Sequence, residues 1–161
     1  MSEERRAGFL ELLDAVGRIT LGGLETDNNT ALAVTIDTTA ADVVDGGDAH
    51  TDIKANAAGS QVTINAVTGV GAVGTATGGA ATDAIETQIA VLNVTNATSG
   101  AINIFEEAAG GDIEIYKIDQ NANADVTVVA AGGTITVTAA QSGIDSAGTA
   151  GKTVLLDANG A

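Results

Sequence analysis

The chain has 161 residues, 45% of them hydrophobic but only 2% aromatic, and a formal net charge of −15 from 21 acidic against 6 basic residues. That length suits one domain, and the charge lacks the basic footprint a nucleic-acid partner needs. With no Cys there is no disulfide, no thiolate zinc site and no cysteine nucleophile.

Residues 2–17 carry the helical signal. Ser2 can cap an N-terminus, and Glu3 and Glu4 complement the dipole of a first turn. Phe9, Leu12, Leu13 and Val16 fall at i, i+3, i+4 and i+7, one apolar face, and Gly17 is a stop. The division expected is an N-terminal amphipathic helix over 1–17, serving as a cap or docking segment, and a β-repeat domain over 18–161. Acidic residues at both ends of MSEERRAGFLELLDAVGRIT and charge within its apolar part argue against a signal peptide. No apolar run reaches about 18 residues, so no membrane insertion is expected.

After residue 17 a short unit recurs: a small residue, any residue, then apolar–polar–apolar. It stands as GRITL at 17–21, SQVTI at 60–64, GAINI at 100–104, GDIEI at 111–115, ADVTV at 124–128 and GTITV at 133–137. AVTID at 33–37 and GKTVLL at 151–156 are weaker echoes. Alternation sends Ile102, Ile104, Ile113, Ile115, Val126, Val128, Ile135 and Val137 to one face. It sends Asn103, Glu114, Thr127 and Thr136 to the other. Gly or Asx residues between copies supply turns. The acidic segment 37–52 reads as a protruding loop. The low-complexity segment 68–84 reads as a loop or a tight coil of small residues.

Two architectures fit this rhythm: an antiparallel β-sandwich and a parallel β-solenoid. Mutually similar strands, inward residues that are monotonously Ile, Val and Leu, scarce aromatics and Gly-rich corners favour the all-β parallel solenoid, or β-helix. The sandwich is the alternative.

Candidate chemistry is sparse. Asp119, Asn121, Asn123 and Asp125 place oxygen ligands at alternate positions, as a calcium loop begins. Ala124 and Ala130 stand where an EF-hand needs Gly and Glu, so any calcium site there is a non-standard turn. Asp42, Asp45, Asp48 and Asp52 form a second acidic group able to hold a cation. His50 is the only histidine and cannot build a His-based metal site within one chain. Glu106 and Glu107 are adjacent, and on a strand they point to opposite faces, a poor acid–base pair. AGKTVLLD at 150–157 lacks the leading Gly and the context of a phosphate loop.

The stretch 85–141 resembles the repeat regions of filamentous-haemagglutinin-like and related adhesin-like bacterial surface β-helix proteins. Thr87, Ala90, Leu92, Thr98, Ser99, Gly100, Ile102, Ile104 and Glu106 match the first part of that repeat. Gly111, Ile113, Ile115, Val126, Val128, Gly132, Gly133, Ile135 and Val137 match the second. The resemblance implies a right-handed parallel β-helix with a structural or adhesive role and no catalytic residues.

The function expected is therefore a non-catalytic structural module of a cell-surface or extracellular assembly, with self-association or other surface proteins as partners. A self-assembling filament or sheath subunit is the second reading, and a calcium- or glycan-binding β-sandwich module the third. No catalytic or cofactor-binding residue is assigned; calcium at Asp119, Asn121, Asn123 and Asp125 is the one cofactor considered.

Overall fold

A computed structural model describes residues 11–47, 50–71, 84–138, 143–146 and 152–159, and these are all β-strand or turn. The first turn carries β1 (Glu11–Ala15), β2 (Ile19–Leu21) and β3 (Leu24–Glu25). The second carries β4 (Val34–Thr38), β5 (Val43–Asp45) and β6 (Ile53–Ala55). Then come β7 (Gln61–Ala66) and β8 (Ile85–Ile89), β9 (Val91–Asn96) and β10 (Ile102–Glu106), β11 (Ile113–Gln120) and β12 (Val126–Ala130). The last described strands are β13 (Ile135–Val137), β14 (Gly143–Ser146) and β15 (Val154–Ala158).

One sheet runs β1-β4-β7-β9-β11-β13, with β14 also on β11; the opposing sheet runs β15-β12-β10-β8-β6-β3, and β2 pairs β5 separately. Each strand thus pairs with its counterpart one turn on. Every pairing among the named strands is parallel. The chain is a parallel β-solenoid, which removes the antiparallel sandwich. On the first sheet a turn spans from 22 residues (Ile115 to Val137) to 30 (Val62 to Leu92), and on the opposing sheet from 19 (Ile85 to Ile104) to 34 (Ile53 to Thr87).

Alternation builds the core. Val34, Val62, Leu92 and Ile115 stack in register, and Ile36, Ile64, Val94 and Ile118 stack beside them. All eight are fully buried. Ile85, Ile102, Ile104, Val126 and Val128 face them from the opposing sheet. Like side chains repeating at the strand spacing of about 4.8 Å fill the narrow interior without aromatics.

Strict alternation fails once. In IEIYKIDQ it would put Lys117 and Asp119 inside with Ile113 and Ile115. A bulge between Ile115 and Lys117 resets the phase, so Ile118 pairs Val94 and Gln120 pairs Asn96. Ile118 and Gln120 are buried, while Lys117 and Asp119 bond to each other on the outside. The bulge absorbs one extra residue, Tyr116, and so keeps two charges out of the core.

Four sequence expectations change. The helix expected over 2–17 is not formed in its described part: Glu11–Ala15 is β1, paired along its length with β4. Leu13 and Ala15 pack on the core and Asp14 is exposed. Val16, placed on the buried face of the helix, is 75% exposed. The open edge of β4 offers a complete hydrogen-bond ladder, and that tertiary contact overrides local helix preference. Residues 2–10 lie outside the described residues. Segment 37–52 is not a protruding loop: Val43 and Asp52 within it are fully buried. Asn103 takes the outer face as expected but is 5% exposed rather than open, on the same face as Phe105, which packs with Ala84 and Val129 in a second apolar cluster. Ile135 packs on the core but stays half-buried, and Val137 is 40% exposed at the end of the stack. Of segment 68–84, residues 72–83 lie outside the described residues; Val70 is buried and bridges Val43 and Ile102 as a coil position.

Candidate functional site

The turns between strands carry the polar chemistry. Asp45 closes β5, Asp52 immediately precedes β6, and Glu86 is the second residue of β8, one turn further on. One carboxylate oxygen from each of the three lies within 4.8 Å of the others. Two backbone-level contacts fix the arrangement. The Asp52 N–H donates to the Glu86 carbonyl at 2.9 Å, and the Glu86 N–H donates to Asp52 Oδ2 at 3.1 Å.

Glu86 sits in register with Phe105, and so lies beside the outer apolar cluster. It is 5% exposed, and its Oε2 has no hydrogen-bond partner among the described residues. Both carboxylate oxygens of Asp45 are likewise buried without a partner there. Burial, followed by the negative charges of Asp45 and Asp52, pushes the Glu86 carboxyl up to about 8. The nearby guanidinium of Arg18 does not neutralise the group. It is engaged bidentately by Asp42 at 2.7 and 2.8 Å, which lowers the Asp42 pKa. A cavity of about 390 Å³, lined in part by Arg18, Asp42, Asp45, Gly69 and Gly100, opens beside Asp45.

A fourth carboxyl behaves differently. Glu106 is fully buried, but it is satisfied: Oε1 accepts the Ile89 N–H at 2.9 Å and Oε2 accepts the Thr87 hydroxyl at 2.6 Å. Burial outweighs those bonds and raises its pKa to about 8. Glu107, on the opposite face, accepts from Thr51 and Gln88 at 2.8 and 2.6 Å. The two therefore point apart, as alternation requires, and form no acid–base pair.

At the corner after β9, Asn96 and Gln120 form a buried polar ladder. Asn96 Nδ2 donates to Gln120 Oε1 at 2.8 Å and to the Gly100 carbonyl at 2.7 Å. Gly100 has φ +79°, and a Cβ there would stand 2.1 Å from the Thr68 carbonyl oxygen, so only glycine fits the corner.

The end of β11 and the turn after it place the sequence-derived calcium candidates as follows. Asp119 accepts from Lys117 Nζ at 2.9 Å, and Asp125 Oδ1 accepts the Thr153 N–H at 2.8 Å and its hydroxyl at 3.3 Å. Those bonds hold the Asp125 carboxyl below the usual range. Asn121 and Asn123 are exposed on either side of buried Ala122. Each carboxylate thus serves a local partner. Of the other acidic group, Asp42 is tied to Arg18, Asp48 lies outside the described residues, and Asp45 and Asp52 converge. Their third member, Glu86, had no signal in the sequence, because its position depends on where β8 falls in the following turn.

The chain matches no protein-family model, no curated protein and no solved structure among those compared.

Proposed function

We propose that the chain is a non-catalytic structural β-repeat module of a cell-surface or extracellular assembly, adhesin-like in role. The observation that carries this reading is the open C-terminal end of the described stack. Val137 continues the ladder of Ile115, and Val154 and Leu156 continue those of Val126 and Val128. The inner three are fully buried, whereas Val137, Val154 and Leu156 are 40%, 45% and 36% exposed. A further parallel coil laid on β13 and β15 would bury these side chains and pair both strand edges. The likeness of 85–141 to adhesin-like repeats supports the same reading, and the charge of −15 suits a rod kept apart from its neighbours sideways.

The second reading, a self-assembling filament or sheath subunit, makes a second copy of this chain that further coil. Negative-stain imaging and light scattering over a concentration series test both. Elongated particles that join end to end, and that separate in a Val154→Lys, Leu156→Lys variant, are the result expected. Compact particles unaffected by concentration and by that variant contradict an open end that seeks a coil.

A further inference from the structure

We infer that the corner over residues 107–111 is a latch that closes on the protonated carboxyl of Glu106 and opens when that carboxyl ionises. Glu106 shares the inner face of β10 with Ile102 and Ile104, in register with Thr87 and Ala130, and is fully buried. Its hydrogen bonds fit the neutral form. Thr87 Oγ1 lies 2.6 Å from Glu106 Oε2 and 3.3 Å from the Phe105 carbonyl oxygen, and its hydroxyl has a single proton to give. In the ionised form that proton is spent on Oε2. In the neutral form the carboxyl donates to Thr87 Oγ1, Thr87 donates to the Phe105 carbonyl, and Oε1 accepts the Ile89 N–H at 2.9 Å, so each donor is matched. Burial then holds the proton to about 8, and the Glu107 carboxylate on the opposite face adds to the effect.

The corner lies directly on this group. A Cβ on Gly110 would fall on Glu106 Oε1, so glycine backbone rests against the carboxyl there. Among the described residues the segment is otherwise lightly held. The Gly110 N–H donates to the Glu107 carbonyl at 2.8 Å within the turn itself, and Ala108 and Ala109 are exposed. The corner of the next turn meets it with Gly132 and Gly133, which have no side chain to pin it. Gly110 and Gly111, the latter at φ +79°, give it backbone freedom. The charged groups around it serve other partners: Lys54 is paired with Glu25 at 2.6 Å, Asp112 accepts from Thr134, Glu114 from Thr138, and Glu107 from Thr51 and Gln88. Glu86 lies on the outer face of β8, in register with Phe105. Once the corner is open, Glu106 is solvated and titrates near 4.5. Opening therefore gains about tenfold per pH unit between about 4.5 and 8, and then levels.

Amide hydrogen exchange of the whole chain tests the inference, read by NMR as protection factors from pH 5 to pH 9, with the Glu106 carboxyl carbon followed alongside. The Ile89 amide reports the latch, and the Ile64 and Val94 amides report the buried ladder. The Glu106 carboxyl is expected to titrate near 8. Ile89 protection should fall about tenfold per pH unit up to that midpoint, level above it, and stay below that of Ile64 and Val94 throughout. Glu106→Gln, which keeps Glu86, Glu107 and His50, should remove this pH dependence. Gly110→Ala, whose methyl displaces the carboxyl, should leave Ile89 as poorly protected at pH 5 as it is in the parent at pH 9. Were Glu106→Gln not to fold, the parent's titration and Gly110→Ala decide. A Glu106 midpoint near 4.5, Ile89 protection independent of pH, full Ile89 protection in Gly110→Ala, or a pH dependence that persists in Glu106→Gln overturns the inference. So does Ile89 protection equal to that of Ile64 and Val94, which would mean that the corner opens only when the whole chain unfolds.

Discussion

The buried Glu106 makes stability fall as pH rises, opposite to the trend a paired surface carboxylate gives. In the unfolded chain its carboxyl releases a proton near 4.5, whereas in the fold it keeps the proton to about 8. Folding therefore takes up a proton between these values. The stability Glu106 contributes is complete below about 4.5 and is lost as pH rises through about 8. At 1.36 kcal/mol per pKa unit, the loss is on the order of 5 kcal/mol, a large share of a domain's net stability. Glu106→Gln keeps an acceptor for the Ile89 N–H, and its amide can donate to the Thr87 hydroxyl, which turns to the Phe105 carbonyl 3.3 Å away. Denaturant titrations at pH 5, 7 and 9 in chelator read the effect. The variant should lie within about 1 kcal/mol of the parent at pH 5 and exceed it by several kcal/mol at pH 9. A variant whose stability parallels the parent's at all three values would refute the reasoning, since general charge repulsion is common to both.

Three further outcomes are expected. Ile64→Ala, between Ile36 and Val94 in the buried ladder, should cost about 2–5 kcal/mol in denaturant titration, and Ile135→Ala less, because half-buried Ile135 sits near the end of the stack. Deleting Tyr116 should leave the fold intact, since it removes the extra residue and lets Lys117 follow Ile115 in regular alternation, with Ile118 and Gln120 still inside; circular dichroism and limited proteolysis would report it, and an unfolded second half would contradict the register. Gly100→Ala should cost at least about 2 kcal/mol, from the positive φ and the clash with the Thr68 carbonyl.

Much of the fold was legible because a two-residue period is a direct consequence of strand geometry. The units at 17–21, 33–37, 60–64, 100–104, 111–115, 124–128, 133–137 and 151–156 all carry strands of the stack. What escaped depends on contacts far along the chain. Leu12, Leu13 and Val16 fit a helical spacing, while Leu13 and Ala15 equally fit a strand, and only the edge of β4 decides. The phase change at Tyr116 has no local mark beyond the charges that would otherwise be buried. Asn103 reads as outward by alternation and is outward, yet it is buried on a face whose neighbours Phe105 and Val129 pack together, a covering that alternation cannot reveal. The acidic triad was half visible. Asp45 and Asp52 stood out in one acidic stretch, yet Glu86 meets them because Ile53 pairs Thr87 and so sets Asp52 beside Glu86, 34 residues on, a spacing no periodicity reveals.

The central claim, that successive turns stack in parallel register, is tested most directly by dipolar distance measurement between paired spin labels. The chain has no native cysteine, so introduced labels are unique. Asp14, Asp37, Asn65, Thr95 and Asp119 occupy one outward ladder. With Asp14 labelled, partners at Asn65, Thr95 and Asp119 stand two, three and four steps away, at backbone separations of about 10, 14 and 19 Å. The account predicts label distances that grow by about 4.8 Å per step along this series. Distances that do not increase in that order, or that jump by the width of a sheet, would contradict it.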